Sequence, residues 1–373
     1  MKTKVSVVKC ANYEPALVQA AVKRAVELAG GITAFVKPGS KVLLKPNLFQ
    51  PKEPQLSITT HPEVVRAVAR ILKEIGCKIF LGDGPVVFGR MEEDIMDELY
   101  AVTGISAVAK EEGVTLVRFD KRRWRGKFPM TTWVDDCDYL INLPKLKTHE
   151  LMLMTGAVKN LFGTIPGIYK VELHRKYPRP RELAEIMVEV YLQARPALTI
   201  VDGITAMEGD GPGLGGKPRN SGLLFAGSDC VAIDTVMARV IGIEPLEVLT
   251  TKAAAKRSAG TSDINLIEIA GERLQDAAGK PFLLPVATLR KKLSPLLLRL
   301  VERFLKHYPV VIREKCIKCG ACAAGCPAKA IHLKKMKVVF KYSRCISCFC
   351  CQEGCPASAI KTKRGLLARI MGV

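Results

Sequence analysis

Two stretches near the C-terminal end constrain this chain more than any other feature: CIKCGACAAGCPAKAI (316–331) and CISCFCCQEGCPASAI (345–360). They repeat at a period of 29 residues, and each closes on Cys-Pro-Ala-x-Ala-Ile. Cys316, Cys319, Cys322 and Cys326 therefore correspond to Cys345, Cys348, Cys351 and Cys355. The C-x2-C-x2-C-x3-C-P spacing is that of two-cluster bacterial ferredoxins. Three close thiolates wrap one four-iron cube, and the fourth, past a turn and followed by Pro, points to the other. The spacing predicts two 4Fe-4S clusters, one on Cys316, Cys319, Cys322 and Cys355, the other on Cys345, Cys348, Cys351 and Cys326. Zinc also takes four-cysteine sets, but usually as paired C-x2-C knuckles rather than exchanged triplets. Cys350 falls outside the register and reads as a small packed thiol beside Phe349; a spare ligand or a reactive thiol facing the large domain is the alternative.

The remaining four of the 13 cysteines, Cys10, Cys77, Cys137 and Cys230, are scattered singly through apolar surroundings, which argues against a disulfide scaffold. No apolar run reaches the length of a membrane span or of a signal-peptide core, so a cytoplasmic location is expected. The net charge of +21 says that the surface attracts anions without choosing among them. In residues 316–373 there are eleven Lys or Arg against one acid, Glu353. Two oxidised cubes with their thiolates would subtract roughly four units, leaving the module basic. An acidic electron donor, such as a ferredoxin, is the partner this charge suits.

Upstream, to about residue 285, short β-branched runs alternate with longer amphipathic segments. Residues 4–8, 41–47, 78–84, 114–119, 138–145, 197–204 and 221–227 read as strands; residues 15–31, 61–76, 181–194 and 228–242 read as helices. This alternation predicts an α/β fold: a mostly parallel, Rossmann-like sheet with helices on both faces, joined to a small α+β bacterial-type two-cluster ferredoxin domain. The expected boundaries are 1–285 for the α/β domain, 286–314 for a basic amphipathic linker helix, and 315–373 for the ferredoxin domain. The linker carries eight Lys or Arg against two Glu over 286–315, so a peripheral contact with anionic lipid is a second reading beside packing on the large domain.

In such sheets ligands sit at the carboxyl ends of strands. Lys45 and Asn47, Asp83, Lys145 and Asp202 all follow apolar runs. The densest stretch, INLPKLKTHELMLMTGAVKNLFGTIPG (141–167), adds Lys147, His149, Lys159 and Asn160. A helix beginning near Thr155 would put its N-terminal N–H groups beside those lysines, making an anion site. Lys45, Asn47, Lys145, Lys147 and Asn160 are the expected substrate-binding residues. His149, Lys159 and Asp202 are the expected catalytic ones, with His149 or Asp202 as proton donor. The glycines of GDGPGLGGKP (209–218) imitate phosphate-loop and dinucleotide motifs, but Pro218 stands where a phosphate loop needs Ser or Thr and no helix pattern follows. A Gly-rich lid with Asp202, Glu208 and Asp210 near the crevice and a purely structural turn are equal expectations there. KRRWRGKF (121–128) interleaves aromatics with basic residues, yet no recognition motif accompanies it and nucleic-acid binding is not expected.

The segments VLLKPNL, LGDGP, NLPKLKTHELMLMTGAVKNLFG, VDGITAMEGDGP and SDCVAIDTV, followed by CISCFCCQEGCP, resemble the iron-sulfur centre proteins of domain of unknown function family 362. The resemblance covers nearly the whole chain. It implies an α/β domain fused to a two-cluster ferredoxin module and assigns no reaction. The family's K-x-K-T-H and G-A-x-K-N-L-F-G signatures fall on Lys145, Lys147, Thr148 and His149, and on Gly156 to Gly163. Together the residues point to an iron-sulfur oxidoreductase that passes low-potential electrons to an anionic small molecule or cofactor in the α/β crevice. A non-enzymatic electron-transfer or iron-sulfur delivery protein docking on a partner enzyme is the alternative.

Overall fold

The computed structural model describes residues 2–85, 92–285, 308–357 and 359–363. In chain order the strands are β1 (Thr3–Lys9), β2 (Lys41–Pro46), β3 (Lys78–Leu81), β4 (Thr115–Leu116), β5 (Arg122–Arg125), β6 (Phe128–Thr131), β7 (Tyr139–Leu143), β8 (Lys145–His149), β9 (Leu153–Thr155), β10 (Leu198–Gly209), β11 (Gly216–Gly227) and β12 (Ile267–Gly271). The C-terminal module adds β13 (Tyr308–Val311), β14 (Ile331–Lys334), β15 (Lys337–Phe340) and β16 (Ile360–Lys363).

A large, mostly parallel sheet runs in the order β12-β1-β11-β10-β7-β2-β3-β4, with β8 pairing β10 and β9 pairing β8. Burial on both sides explains its apolar strands: in β2, Val42 and Leu44 belong to one core while Leu43 belongs to the other. Helices Pro15–Ala29 and Pro62–Glu74 pack on the Val42 side. Each starts with proline at the first helical position, behind Glu14 and His61, whose side chains accept from backbone N–H groups of the first turn. Helices Pro180–Ala194 and Cys230–Val240 cover the other face.

Of the two readings of residues 209–218, the structure has the turn: they lie in and around the turn of a long antiparallel hairpin, β10 with β11, and Glu208 is tied to Arg219 at 2.7 Å. Two expectations are corrected. The helix expected near Thr155 is only one turn, Ala157–Asn160. Of the expected 286–314 linker helix, residues 286–307 lie outside the described residues, and Tyr308–Val311 is a strand paired antiparallel with β16, inside the C-terminal module.

Candidate electron-transfer site

The two cysteine repeats fold alike. Lys318 and Ser347, and then Gly320 and Phe349, occupy left-handed backbone positions at matching places in their loops. Each loop runs into a single helical turn, Ala321–Ala324 or Cys350–Glu353. Cys316, Cys319, Cys322 and Cys355 line one cavity together. After burial, the strongest influences raising the Cys322 thiol are Cys355, Cys319 and Cys316; for Cys351 they are Cys348, Cys345 and Cys326. The donor set fits two cubes, because each group combines three thiols of one repeat with the last thiol of the other. Among the described residues no three ligating side chains lie close enough to hold a single metal ion. Cys350 is 2% exposed and shares a hydrogen bond with Cys348.

The second repeat is seated against the α/β domain. Gln50 Nε2 donates to the backbone oxygens of Gln352 (3.3 Å) and Glu353 (2.7 Å), and Thr362 Oγ1 donates to Glu150 Oε2 at 3.3 Å. Glu353 thereby enters the wall of a small recess of about 80 Å³ at the carboxyl ends of β2 and β3. The same recess is lined by Asn47, Asp83, His149, Thr155, Lys159, Asn160, Lys170 and His174. Lys159 is held below the ordinary lysine range by burial, with Glu353 pulling the other way; Cys350 also acts on it from across the seam.

His149 is the most informative group here. Its Nδ1 accepts from the N–H groups of Leu151 (3.1 Å) and Met152 (3.4 Å), which fixes the tautomer with the proton on Nε2. Burial, then Lys159 and Lys147, keep its pKa well below the usual value, so the ring is neutral. Among the described residues Nε2 is buried without a partner, as are Asn47 Oδ1, Thr155 Oγ1 and Asn160 Oδ1 around the same recess. Buried polar atoms are normally paired, so four orphans around one hollow are what a polar ligand would satisfy. A neutral imidazole in this state donates a hydrogen bond rather than a proton. That alters the role expected of His149.

Of the residues expected from sequence, Asn47, His149, Lys159 and Asn160 come together. Lys145 and Asp202 do not join them. Both are fully buried, paired at 2.8 Å, and fastened by Tyr13, whose hydroxyl accepts from Lys145 Nζ and donates to Asp202 Oδ1 at 2.7 Å each. The His61 backbone N–H adds a further bond to Asp202 at 2.8 Å. Neither can clamp a ligand or relay a proton to one. Lys147 is likewise spent: its Nζ donates to Ile58 O at 2.8 Å and lies 5.0 Å over the Phe49 ring. Lys45 sits beneath the recess floor, paired with Asp83 at 2.7 Å. Gly163 permits this, since a Cβ there would fall 2.5 Å from Lys45 Nζ. The expected helix N-terminus is also taken, because Asp234 accepts from Ala157 N at 2.6 Å and Val158 N at 3.2 Å.

Three lining residues escaped the sequence reading. Lys170 and His174 lie four apart on the helix Gly167–Lys176, a spacing that puts both on one face, but GIYKVELHRK has no apolar stripe to announce a helix. Burial lowers Lys170 to about 8 and His174 to about 4. Glu353 was visible as the lone acid of a basic module; that it reaches a cluster of lysines was not.

Residues 42–239 match the family described as domain of unknown function (DUF362), and residues 308–356 match a 4Fe-4S dicluster domain. The thylakoid-associated protein sll1697 of Synechocystis sp. is 36% identical over 260 residues, covering 68% of this chain and 79% of that protein. The lactate racemase apoprotein from Thermoanaerobacterium thermosaccharolyticum superposes with a TM-score of 0.38 at 16% identity, over 61% of this chain and 54% of that one. No described helix is long and apolar enough to cross a membrane. With the family match spanning more than half of its length and a 4Fe-4S dicluster domain following it, this chain belongs to the DUF362 family.

Proposed function

We propose that the chain is an iron-sulfur oxidoreductase in which the cluster held by Cys345, Cys348, Cys351 and Cys326 delivers electrons to a small anion in the recess. One observation carries this reading: the repeat holding that cluster forms, through Glu353, part of the wall of a hollow in which His149 Nε2 and three other buried polar atoms have no partner among the described residues. The clusters supply one-electron reduction. The chain's own residues do the rest: Lys159 and Lys170 counter negative charge, and His149 Nε2–H donates to an oxygen of the ligand. Asn160 Oδ1 and Asn47 Oδ1 accept from a hydroxyl or amide on it.

The test is anaerobic purification with native mass spectrometry for a retained ligand, followed by mixing of the reduced protein with carboxylates and phosphate esters. Reoxidation that one such anion accelerates, and that Lys159→Ala abolishes, is the expected result. Indifference of the reduced clusters to every anion that binds would remove the enzyme reading. A specific observation favours a second one in that event. Glu353 already lies among Lys159, Lys147 and Lys170, so the protein's own carboxylate can fill the anion site, as suits a carrier that docks on a partner enzyme. The thylakoid association of the relative, taken with the charge of +21, supports a place for either activity at an anionic membrane surface.

A further inference from the structure

The two cysteine repeats are equivalent in sequence and unequal in exposure. In the first, Ile317, Lys318 and Cys319 are all exposed; in the second, the matching Ile346, Ser347 and Cys348 are half-buried against the rest of the protein. The second repeat is also the one bonded to Gln50 and neighbouring Lys159. The module therefore has an inner end and an outer end.

What surrounds the outer end is specific. The hairpin of β14 and β15 packs on the first loop: Val338 shares a cavity with Ile317 and Cys319, and a Cβ on Gly320 would come 3.0 Å from Leu333. Ile317 (57% exposed), Leu333 (41%) and Met336 (61%) give this end an exposed apolar face. Exposed Lys318, Lys334, Lys335 and Lys337 stand around it, and Lys335 and Met336 hold the left-handed positions of the hairpin turn. Exposed Glu314, just before Cys316, stands between Arg313 and Lys315, and Glu353, the one acid beyond residue 315, is at the opposite end, in the recess. An apolar centre with a basic rim is complementary to a protein with an apolar centre and an acidic rim, and a contact of this kind gains its speed from long-range attraction.

We propose that this patch is the docking surface for an acidic redox protein, and that electrons enter at the Cys316, Cys319, Cys322 and Cys355 end and leave at the Cys345 end. The step balances as one electron. The donor's reduced two-iron centre returns to its diferric state while the receiving cluster goes from the 2+ to the 1+ level, with no bond formed and no proton moved. The inference rests on the two-cluster reading given above but not on any substrate in the recess.

The experiment uses the full-length, anaerobically loaded protein and an acidic plant-type [2Fe-2S] ferredoxin. Calorimetry with the oxidised ferredoxin gives affinity, and stopped-flow bleaching with the reduced ferredoxin gives the rate. K318E/K335E should weaken binding and slow reduction at least tenfold at low salt, and Met336→Ser should weaken binding further. Iron content and reduction by dithionite should stay unchanged, which separates lost docking from a lost cluster. Lys127→Glu, on a different basic surface, should change neither measurement. Equal affinity and rate in K318E/K335E would overturn the proposal, as would a loss confined to Lys127→Glu. It would equally fall if the double variant lost only its binding to phosphatidylglycerol vesicles while ferredoxin reduced it normally. Because no ligand is added, failure here leaves the recess chemistry to be judged on its own test.

Discussion

Lysines in two parts of the same crevice differ in how closely each is paired with an anion. Lys145 is enclosed with Asp202 and Tyr13 and satisfied at every turn; Lys45 is closed against Asp83. A few residues away Lys159 has no ion pair or hydrogen bond among the described residues, and Lys170 has a carbonyl, Gly84 O, for company. Lys45 and Lys145 lie on strands, Lys159 and Lys170 on helices, and all four carry ammonium groups. The difference teaches that a cation closed directly on its anion is architecture, while one whose nearby carboxylate, here Glu353, makes no direct contact with it among the described residues is open to a ligand.

Removing one partner of the enclosed pair is the harshest way to test that division. Lys145→Ala strands the Asp202 carboxylate in the interior and should cost roughly 3–5 kcal/mol, read as a large drop in the thermal midpoint. Lys145→Met with Asp202→Asn should recover a good part of the loss. If the single variant were as stable as the parent yet lost anion binding, the assignment of the two lysine groups would be inverted. Next in size is Gly156→Ala. Its backbone is extended, so the cost is purely steric: the new Cβ would run into the Asp234 carboxylate that accepts from Ala157 and Val158. Overpacking of this kind costs about 1–3 kcal/mol, measurable by denaturant unfolding.

At the other pole, Lys159→Ala should leave the fold almost untouched, with a midpoint moved by no more than about 4 °C. It should weaken anion binding at least tenfold, about 1.4 kcal/mol, by calorimetry. A stability loss comparable with that of Lys145→Ala would show that Lys159 too is architecture.

These outcomes turn on contacts that strand pattern alone does not reveal. The helices at 15–29, 62–74 and 180–194 and the central strands were legible because apolar periodicity and prolines mark them. The hairpin of β10 and β11 was hidden by its own glycines, which imitate phosphate loops while in fact reversing the chain between two twelve-residue strands. The lysines were legible as a cluster and illegible as individuals. Whether Lys145 faces a ligand depends on Asp202, which is 57 residues away, and on Tyr13, which is 132 away. The cysteine ligands were the most legible, since their spacing is local and chemical at once.

The seam between domain and module sets the pH behaviour. Burial, reinforced by Asp210, raises Glu150 from the ordinary 4.5 to about 8, opposed by the hydrogen bond from Thr362. The folded state thus keeps a proton that the unfolded chain has lost, and stability on this account falls as pH rises from about 4.5 to 8. Lys170, lowered by burial from 10.5 to about 8, acts the other way, adding stability between those two values. The contribution of these two groups to the thermal midpoint should therefore dip near pH 8. Glu150→Gln should flatten the acid side of the dip and leave the alkaline side. A midpoint rising through this range in the parent would reverse the sign and place Glu150 in water rather than in the seam.

The smallest expected effect belongs to Cys350, the thiol that separates ligand from bystander. It lies between Cys348, with which it shares a hydrogen bond, and the Lys159 ammonium across the seam. A cube held by Cys345, Cys348, Cys351 and Cys326 does not require it. Cys350→Ala exchanges a small apolar-like side chain for a smaller one, so iron and sulfide content and the electron paramagnetic resonance of the reduced protein should be retained. Anion affinity should also hold, because Lys159 takes its charge balance mainly from Glu353 rather than from a neutral thiol. Loss of half the iron would mean that the register of the second repeat is shifted by one cysteine. The neighbour of Lys159 would then be a cluster ligand, and the line between the two kinds of residue in this crevice would have to be redrawn at the metal itself.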